Sequence, residues 1–407
     1  MFKNKPTMLI TIDVEDWFQV ENFKQYIPYS TWSNRQLRVE KNIHRLLDLF
    51  DIASSRFTVQ GSRFMNRDSR FRVHGSRLEE QGSEARGQRP EVRGRRSEVR
   101  GQRAEVRGQG LDQDTINSEQ SGTANGQQTA DHLQDKKVRC TFFVLGWLAE
   151  RLPGLVREIQ SRGHEIASHG YSHNLCYDCG YDELRRDLSD SRKMLEDILG
   201  APVSGYRAPS FSIKNNILKI IEECGYLYDS SYNSFGLHGR YGRLDLTDYS
   251  RNGIVRKISD TFYELPISNL QIKNPFKPVL SFTGYKQGNA LNPGSTSNTR
   301  NSTNLNGLIL PWGGGGYFRL IPFSIFKKGV ASILRHDNAY VFYMHPWEID
   351  PEQPRVNEAP MSFRFRHYCN LKGCRSKVLR LIETYSECTF STCDQYIKDS
   401  QGEFKMH

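Results

Sequence analysis

The chain has 407 residues, 37% of them hydrophobic, and a formal net charge of +10. That length accommodates one large barrel or two ordinary domains, and the low apolar share implies a polar segment diluting an ordinary core. A basic surface would favour acidic glycans, anionic lipid or nucleic acid; residues 54–137 alone hold 16 Lys and Arg against 12 Asp and Glu, so no basic face follows.

The chain opens with Met1–Phe2–Lys3–Asn4–Lys5–Pro6 and enters the apolar run Met8–Leu9–Ile10–Thr11–Ile12. That run is too short for a signal peptide and is followed at once by acids; it reads as a strand. No stretch approaches the length of a membrane-spanning helix. The expected location is cytoplasmic, with attachment to membrane-bound machinery left open. Gln36 to Phe50 then places Leu37, Ile43, Leu46, Leu47 and Phe50 at helical spacing.

Residues 54–137 are rich in Gly, Gln, Ser, Arg and Glu. Within them Glu84-Ala-Arg-Gly, Glu91-Val-Arg-Gly, Glu98-Val-Arg-Gly and Glu105-Val-Arg-Gly recur with a period of seven. A coiled-coil seam needs two large apolar positions per heptad, and each repeat offers one small one beside a helix-weakening Gly. The segment buries too little apolar surface to offset its ordering entropy, so it reads as a disordered insertion. No aromatics interleave in the repeat, which argues against an RNA-binding tail.

Beyond it, Thr141–Leu145 reads as a buried strand. Pro153–Arg162 reads as a helix with Pro in its first turn and Gly163 as its stop. His164–Ala167 is a short strand. Asp182–Leu199 is an amphipathic helix closed by Gly200, and Lys214–Cys224 a helix ending at Gly225. Phe262–Leu265 and Tyr340–Met344 are further strands. Lys286–Asn306 is a polar surface loop. Gly313–Gly316 lack the Lys-Ser/Thr of a P-loop and read as a tight loop that lets backbone approach a ligand. Strands alternating with helices indicate a parallel α/β architecture, barrel or open sheet. The expected organisation is a barrel from 1–53 and 138–350, the insertion 54–137, and a C-terminal extension 351–407 packing on the barrel. The eight cysteines do not form a disulfide framework in a chain this long. Cys176 and Cys179 form one C-x-x-C, but Cys388 and Cys393 are too loosely spaced to complete a zinc pattern, so free thiols are expected.

Three clusters at predicted strand ends carry chemistry, where α/β barrels place their sites. Asp13–Val14–Glu15–Asp16 puts three carboxylates in four residues, a repulsion that a cation would relieve; the plainer alternative is a solvated turn or helix cap. His169 and His173 are four apart, the spacing that clamps a metal on one helical face; the alternative is two surface histidines. His345–Pro346–Trp347 suits a positioned general acid beside an apolar wall, or a histidine packed in a loop. Taken together, two His and a carboxylate with open positions would polarise a carbonyl and acidify bound water.

In order along the chain stand Thr11–Ile12–Asp13–Val14–Glu15–Asp16, His169–Gly170–Tyr171–Ser172–His173, Arg207–Ala208–Pro209, Asp229–Ser230–Ser231 and His345–Pro346–Trp347. This series resembles the polysaccharide deacetylases, the NodB-homology domains of carbohydrate esterase family 4. Asp13-Val-Glu-Asp-Trp-Phe, Gly314-Gly-Gly-Tyr-Phe-Arg319, His345-Pro-Trp-Glu-Ile-Asp350 and the tail Phe363–Tyr368 further resemble the subgroup of bacterial exopolysaccharide and exosortase loci. The resemblance implies a distorted (β/α) barrel and a metal-dependent hydrolase that removes N-acetyl groups from amino sugars of a polysaccharide. It implies a divalent ion, zinc foremost, on His169, His173 and one carboxylate. Many family members carry two adjacent Asp in the first motif; here Val14 follows Asp13. Side-chain alternation puts Glu15 on Asp13's face, whereas a turn after Val14 would bring in Asp16. Both stay open.

With the chemistry, the resemblance further implies Asp13 as general base, Arg207 holding it ionised, His345 as general acid and Asp229 orienting His345. A backbone N–H near Tyr171 would face the oxyanion, and Trp147, Tyr317 and Trp347 would stack on sugar rings. The expected partner is an N-acetylated polysaccharide or oligosaccharide, with no nucleic acid. Rival readings are a metal amidohydrolase on a small non-sugar amide or imide, and a non-catalytic glycan-binding protein.

Overall fold

The computed structural model describes residues 5–68, 137–236, 239–272 and 308–404. The Glu-Val-Arg-Gly repeats and the polar loop at 286–306 lie outside them. The sheet begins with β1 (Thr7–Val14), whose run of β-branched and large apolar residues lies between two parallel neighbours. On one side is β11 (Ala339–Met344), and on the other is β2 (Cys140–Val144). The parallel series continues through β3 (Glu165–Ser168), β4 (Gly205–Tyr206), β5 (Tyr228–Asp229) and β8 (Tyr263–Glu264). It ends on two short antiparallel strands, β7 (Val255–Lys257) and β6 (Arg251–Asn252). Strands β9 (Leu270–Ile272) and β10 (Leu308–Leu310) pair separately.

Alternation sorts each strand's side chains between two cores. Met8, Ile10 and Ile12 of β1 join the large core under the helices, whereas Leu9 joins an inner cluster with Phe143, Ala167, Tyr228, Val341 and Tyr343. The curled, parallel-dominated sheet thus encloses an inner face. The residues in phase with Leu9 are Thr11, Asp13 and, just past the strand, Glu15.

Helices cover the outer face. The helix α1 (Val39–Asp68) carries Ile43, Leu46, Leu47, Phe50, Ala53 and Phe57 as a buried stripe. It therefore runs beyond residue 53, where the insertion was expected to start. Phe57 stacks on Phe390 at 5.8 Å, which gives the helix a reason to continue. Next come α2 (Gly146–Arg151), α3 (Pro153–Ser161), α4 (Tyr181–Leu199) and α5 (Asn215–Glu223). Gly200 closes α4 in the left-handed conformation, φ 64°. After α6 (Gly315–Leu320) and α7 (Phe323–Asp337), the chain beyond 350 forms α8 (Met361–Tyr368), α9 (Leu371–Thr384), β12 (Thr389–Phe390) and α10 (Cys393–Phe404). The strand β12 pairs with Thr7 and Met8, where the β2 ladder has not yet begun. The C-terminal segment thus adds a strand to the sheet itself. All eight cysteines are free.

Candidate metal centre

Five parallel strands deliver the candidate residues at their C-terminal ends. Glu15 follows β1, His169 follows β3, Arg207 follows β4, Asp229 ends β5 and His345 follows β11. The imidazole Nε2 atoms of His169 and His173 lie 3.1 and 3.0 Å from the same oxygen, Glu15 Oε1. His345 Nε2 is 3.7 Å from that oxygen. His169 Nδ1 is 2.7 Å from the Arg207 carbonyl, which fixes the ring with its proton on Nδ1 and Nε2 free to ligate. His173 holds φ 58°, a strained value for a non-glycine residue, and this turns its ring toward Glu15.

Two nitrogens and one carboxylate oxygen, mutually within 4.8 Å and buried, fit a divalent cation. The neighbouring Glu21 strengthens that fit. Its Oε2 is buried without a hydrogen-bond partner and sits 3.8 Å from His173 Nδ1, the position of a carboxylate that orients a ligating imidazole. Burial pushes the Glu15 carboxyl up, but the charges of His173 and His345 and hydrogen bonds from His169 and His173 outweigh it. The group is held well below the usual carboxylate range.

Asp16 does not share the site. Its carboxylate accepts from the backbone N–H of Trp17 at 2.8 Å, Arg38 at 2.6 Å and Val39 at 2.8 Å. The chain turns after Glu15 and commits Asp16 to fixing the start of α1. Burial still raises it to about 6 against those bonds.

Asp13 lines the cavity, and its Oδ1 accepts from Arg207 Nη1 at 2.6 Å. Arg207 is fully buried rather than a surface ion-pair partner. It also donates to Thr11 Oγ1 at 2.7 Å, the Ser230 carbonyl at 2.9 Å and Ser230 Oγ at 3.0 Å, and stacks on Phe143. Asp229 does not orient His345. It accepts from Ser231 Oγ at 2.6 Å and Ser231 N–H at 3.1 Å, and it pairs with Glu264. Burial and the neighbouring Asp229 charge push Glu264 well above the usual carboxylate range.

The residue on His345 is Glu348, whose Oε1 lies 2.9 Å from His345 Nδ1. The 3-10 turn Pro346–Ile349 brings position i+3 back onto the histidine, a capping box in which Glu348 also accepts the His345 backbone N–H. Arg319 Nε donates to the other oxygen of Glu348 at 2.7 Å. The glycine run makes room for this acid: a Cβ at Gly315 would overlap the Glu348 carboxylate. Burial lowers the His345 pKa, but Glu15, Glu348 and Asp13 outweigh it and raise the imidazole to about 9.

Asp13, Glu15, His173, His345 and Glu348 line a cavity of about 370 Å³ whose wall includes Tyr317, Phe211, Tyr241 and Phe365. Trp347 also lines it but is sandwiched between His345 at 5.0 Å and His367 at 4.1 Å, so it backs the acid rather than offering a face. Trp147 is elsewhere, packed edge-on against Phe18 and Trp32 beneath the Arg151 guanidinium. Tyr171 is likewise not in the wall. Its backbone N–H already donates to Asp187 at 3.0 Å and its hydroxyl to Glu150, so it leaves no donor for an oxyanion.

Residues 115–228 match the family model described as polysaccharide deacetylase. That stretch is thus similar to the polysaccharide deacetylases. Residues 299–398, which carry Arg319, His345 and Glu348, match a second model described as a domain of unknown function, DUF3473. The chain is 31% identical over 99 residues to a peptidoglycan-N-acetylglucosamine deacetylase of Bacillus cereus, spanning 24% of this chain and 46% of that one. It is 31% identical over 94 residues to a chitooligosaccharide deacetylase of Azorhizobium caulinodans, spanning 23% and 45%. The chain thus spans less than half the length of these curated relatives. Among solved structures, a putative polysaccharide deacetylase from Mycobacterium smegmatis aligns over 99% of this chain and 93% of that one, at 16% identity and a TM-score of 0.47.

Proposed function

We propose that the chain is a metal-dependent N-deacetylase acting on amino sugars of a glycan, with an exopolysaccharide as the substrate class. The observation that carries this reading is the meeting of Glu15, His169 and His173 at the edge of a cavity that Asp13, Glu15, His173 and His345 line. A bound divalent ion, zinc foremost, would be held by Glu15, His169 and His173 and would supply Lewis-acid polarisation of the acetamide carbonyl.

Asp13 accepts a proton from water as the water oxygen adds to the acetyl carbon, and the Arg207 guanidinium, donating to its carboxylate at 2.6 Å, holds it in place for that task. His345 holds a proton, oriented by Glu348, and delivers it to the nitrogen as the C–N bond breaks. Water and amide are consumed, and acetate and a free amino sugar leave. Tyr317 and the rim residue Phe365, 63% exposed, offer aromatic surface to a sugar chain that extends out of the cavity. That open aromatic rim favours a glycan over a small amide or imide.

Acetate release from N-acetylated chito-oligosaccharides tests the proposal. The zinc-loaded protein should release acetate and lose this activity to a chelator, with zinc restoring it. Asp13→Asn should lower kcat by about a thousandfold, within the usual range for a general base. Acetate release that neither chelation nor Asp13→Asn reduces would sink the reading.

A further inference from the structure

The cavity wall carries two guanidinium groups that the proposed reaction does not use, Arg240 and Arg366. Both are half-buried. The Arg240 backbone is pinned by the Tyr177 hydroxyl, which donates to its carbonyl at 2.9 Å, and its Nη2 donates to the Asn22 amide oxygen. Arg366 sits on α8, and its carbonyl accepts from the buried Arg319 at 3.2 Å. The arginine that braces Glu348 therefore also braces the element carrying Arg366.

Among the described residues, no carboxylate lies within 4.0 Å of the Arg240 guanidinium. Buried Arg207 and Arg319 differ, with carboxylate oxygens at 2.6 and 2.7 Å. Burial lowers the Arg240 pKa; the charge of Glu21 opposes that shift and the charge of Arg366 adds to it. Two guanidinium groups on one cavity wall put positive charge where a ligand would sit, and an anion seated there would be attracted by both. A guanidinium fork also matches the oxygens of a carboxylate or phosphate.

We propose that Arg240 and Arg366 form an anion subsite in the substrate cavity, selecting glycans that carry an oxyanion on or beside the N-acetylated sugar. The source is a uronate carboxylate or a phosphate ester. This inference rests on the deacetylase reading for the identity of the ligand as a glycan, but not for the existence of the anion seat.

The test measures binding by calorimetry to zinc-loaded Asp13→Asn protein. The probes are a tetrasaccharide of alternating glucuronate and N-acetylglucosamine, its carboxyl-reduced neutral form, and N-acetylglucosamine 6-phosphate against N-acetylglucosamine. At least one anionic probe should bind about tenfold more tightly than its neutral counterpart, the scale of one charge-assisted hydrogen bond. The probe that shows the preference identifies the oxyanion. Adding Arg240→Gln or, separately, Arg366→Gln should shrink the preference, and salt should weaken it. Arg366→Gln serves if Arg240→Gln melts at lower temperature. Equal binding of charged and neutral probes would overturn the proposal, as would a preference that survives both substitutions. An anion preference in a protein whose wild type releases no acetate from any of these probes would keep the subsite and sink the deacetylase reading instead.

Discussion

Glu15 and Glu165 face the same interior of one curled sheet, at opposite ends of its strands. Glu15 lies just past the end of β1, and Glu165 opens β3, the strand that delivers His169 at its other end. Around Glu15 stand three imidazoles, and the carboxyl is held well below its ordinary range. Around Glu165 stand neutral donors: Tyr228 OH and Thr141 Oγ1 at 2.7 Å and the Asp394 N–H at 3.1 Å. Burial there outweighs those hydrogen bonds and pushes Glu165 up to about 7. Enclosure alone favours the protonated acid; only countercharge reverses it. One end of the strands is thus arranged to hold a cation and the other to hold a proton.

Replacing the acid at each end separates the two roles. Glu15→Gln removes the charge that gathers His169 and His173. Metal content measured by atomic absorption should fall from one ion per chain toward none, and acetate release should fall on the order of a thousandfold. Retained metal at full occupancy would show that Glu15 is not a ligand.

Glu165→Gln should leave metal content alone and change stability instead. The folded pKa of Glu165, about 7, lies above its unfolded value near 4.5. Its contribution to stability is therefore complete below 4.5 and is lost as pH rises through 7. Between pH 5 and pH 8 this group should remove about 2–3 kcal/mol from the wild type and nothing from Glu165→Gln. Urea unfolding at the two pH values, compared between the proteins, measures the difference. Parallel pH dependence in both would mean that the acid ionises freely in the fold.

The ends of the barrel were not equally legible in the sequence. Long strands with apolar runs and helices punctuated by Pro153, Gly163, Gly200 and Gly225 were readable because their signals are local. The antiparallel strands β6 and β7 are two and three residues long and carry no periodicity to read. At the site, alternation from Asp13 correctly put Glu15 on the inner face. What alternation cannot give is the path of the chain after the strand, and that path commits Asp16 to the backbone of Arg38 and Val39. Asp229 failed as the partner of His345 because arrival at a strand end does not fix which neighbour a carboxylate meets. Glu348 carried a signal, an acid three residues after His345 behind a proline, which is the spacing of a capped turn. Trp147 and Tyr171 share a motif's neighbourhood in sequence but spend their contacts on Trp32, Asp187 and Glu150.

The smallest expected effect sharpens the contrast most finely. Both Glu165 oxygens have donors, whereas Glu21 Oε2 is enclosed with none, 3.8 Å from His173 Nδ1. A buried carboxylate oxygen without a hydrogen bond is costly, and the exposed Lys24 ammonium, 3.9 Å away, offsets that only in part. The arrangement makes sense if ligation at His173 Nε2 leaves Nδ1 protonated and turned toward Glu21, a contact that tightens on metal binding. Glu21→Gln should then weaken zinc binding about 10- to 100-fold in competition with a fluorescent chelator. The unfolding free energy of the metal-free protein should not fall. A variant that binds zinc like the wild type but unfolds more easily would assign Glu21 to the scaffold, and the cation-holding end would reduce to Glu15, His169 and His173 alone.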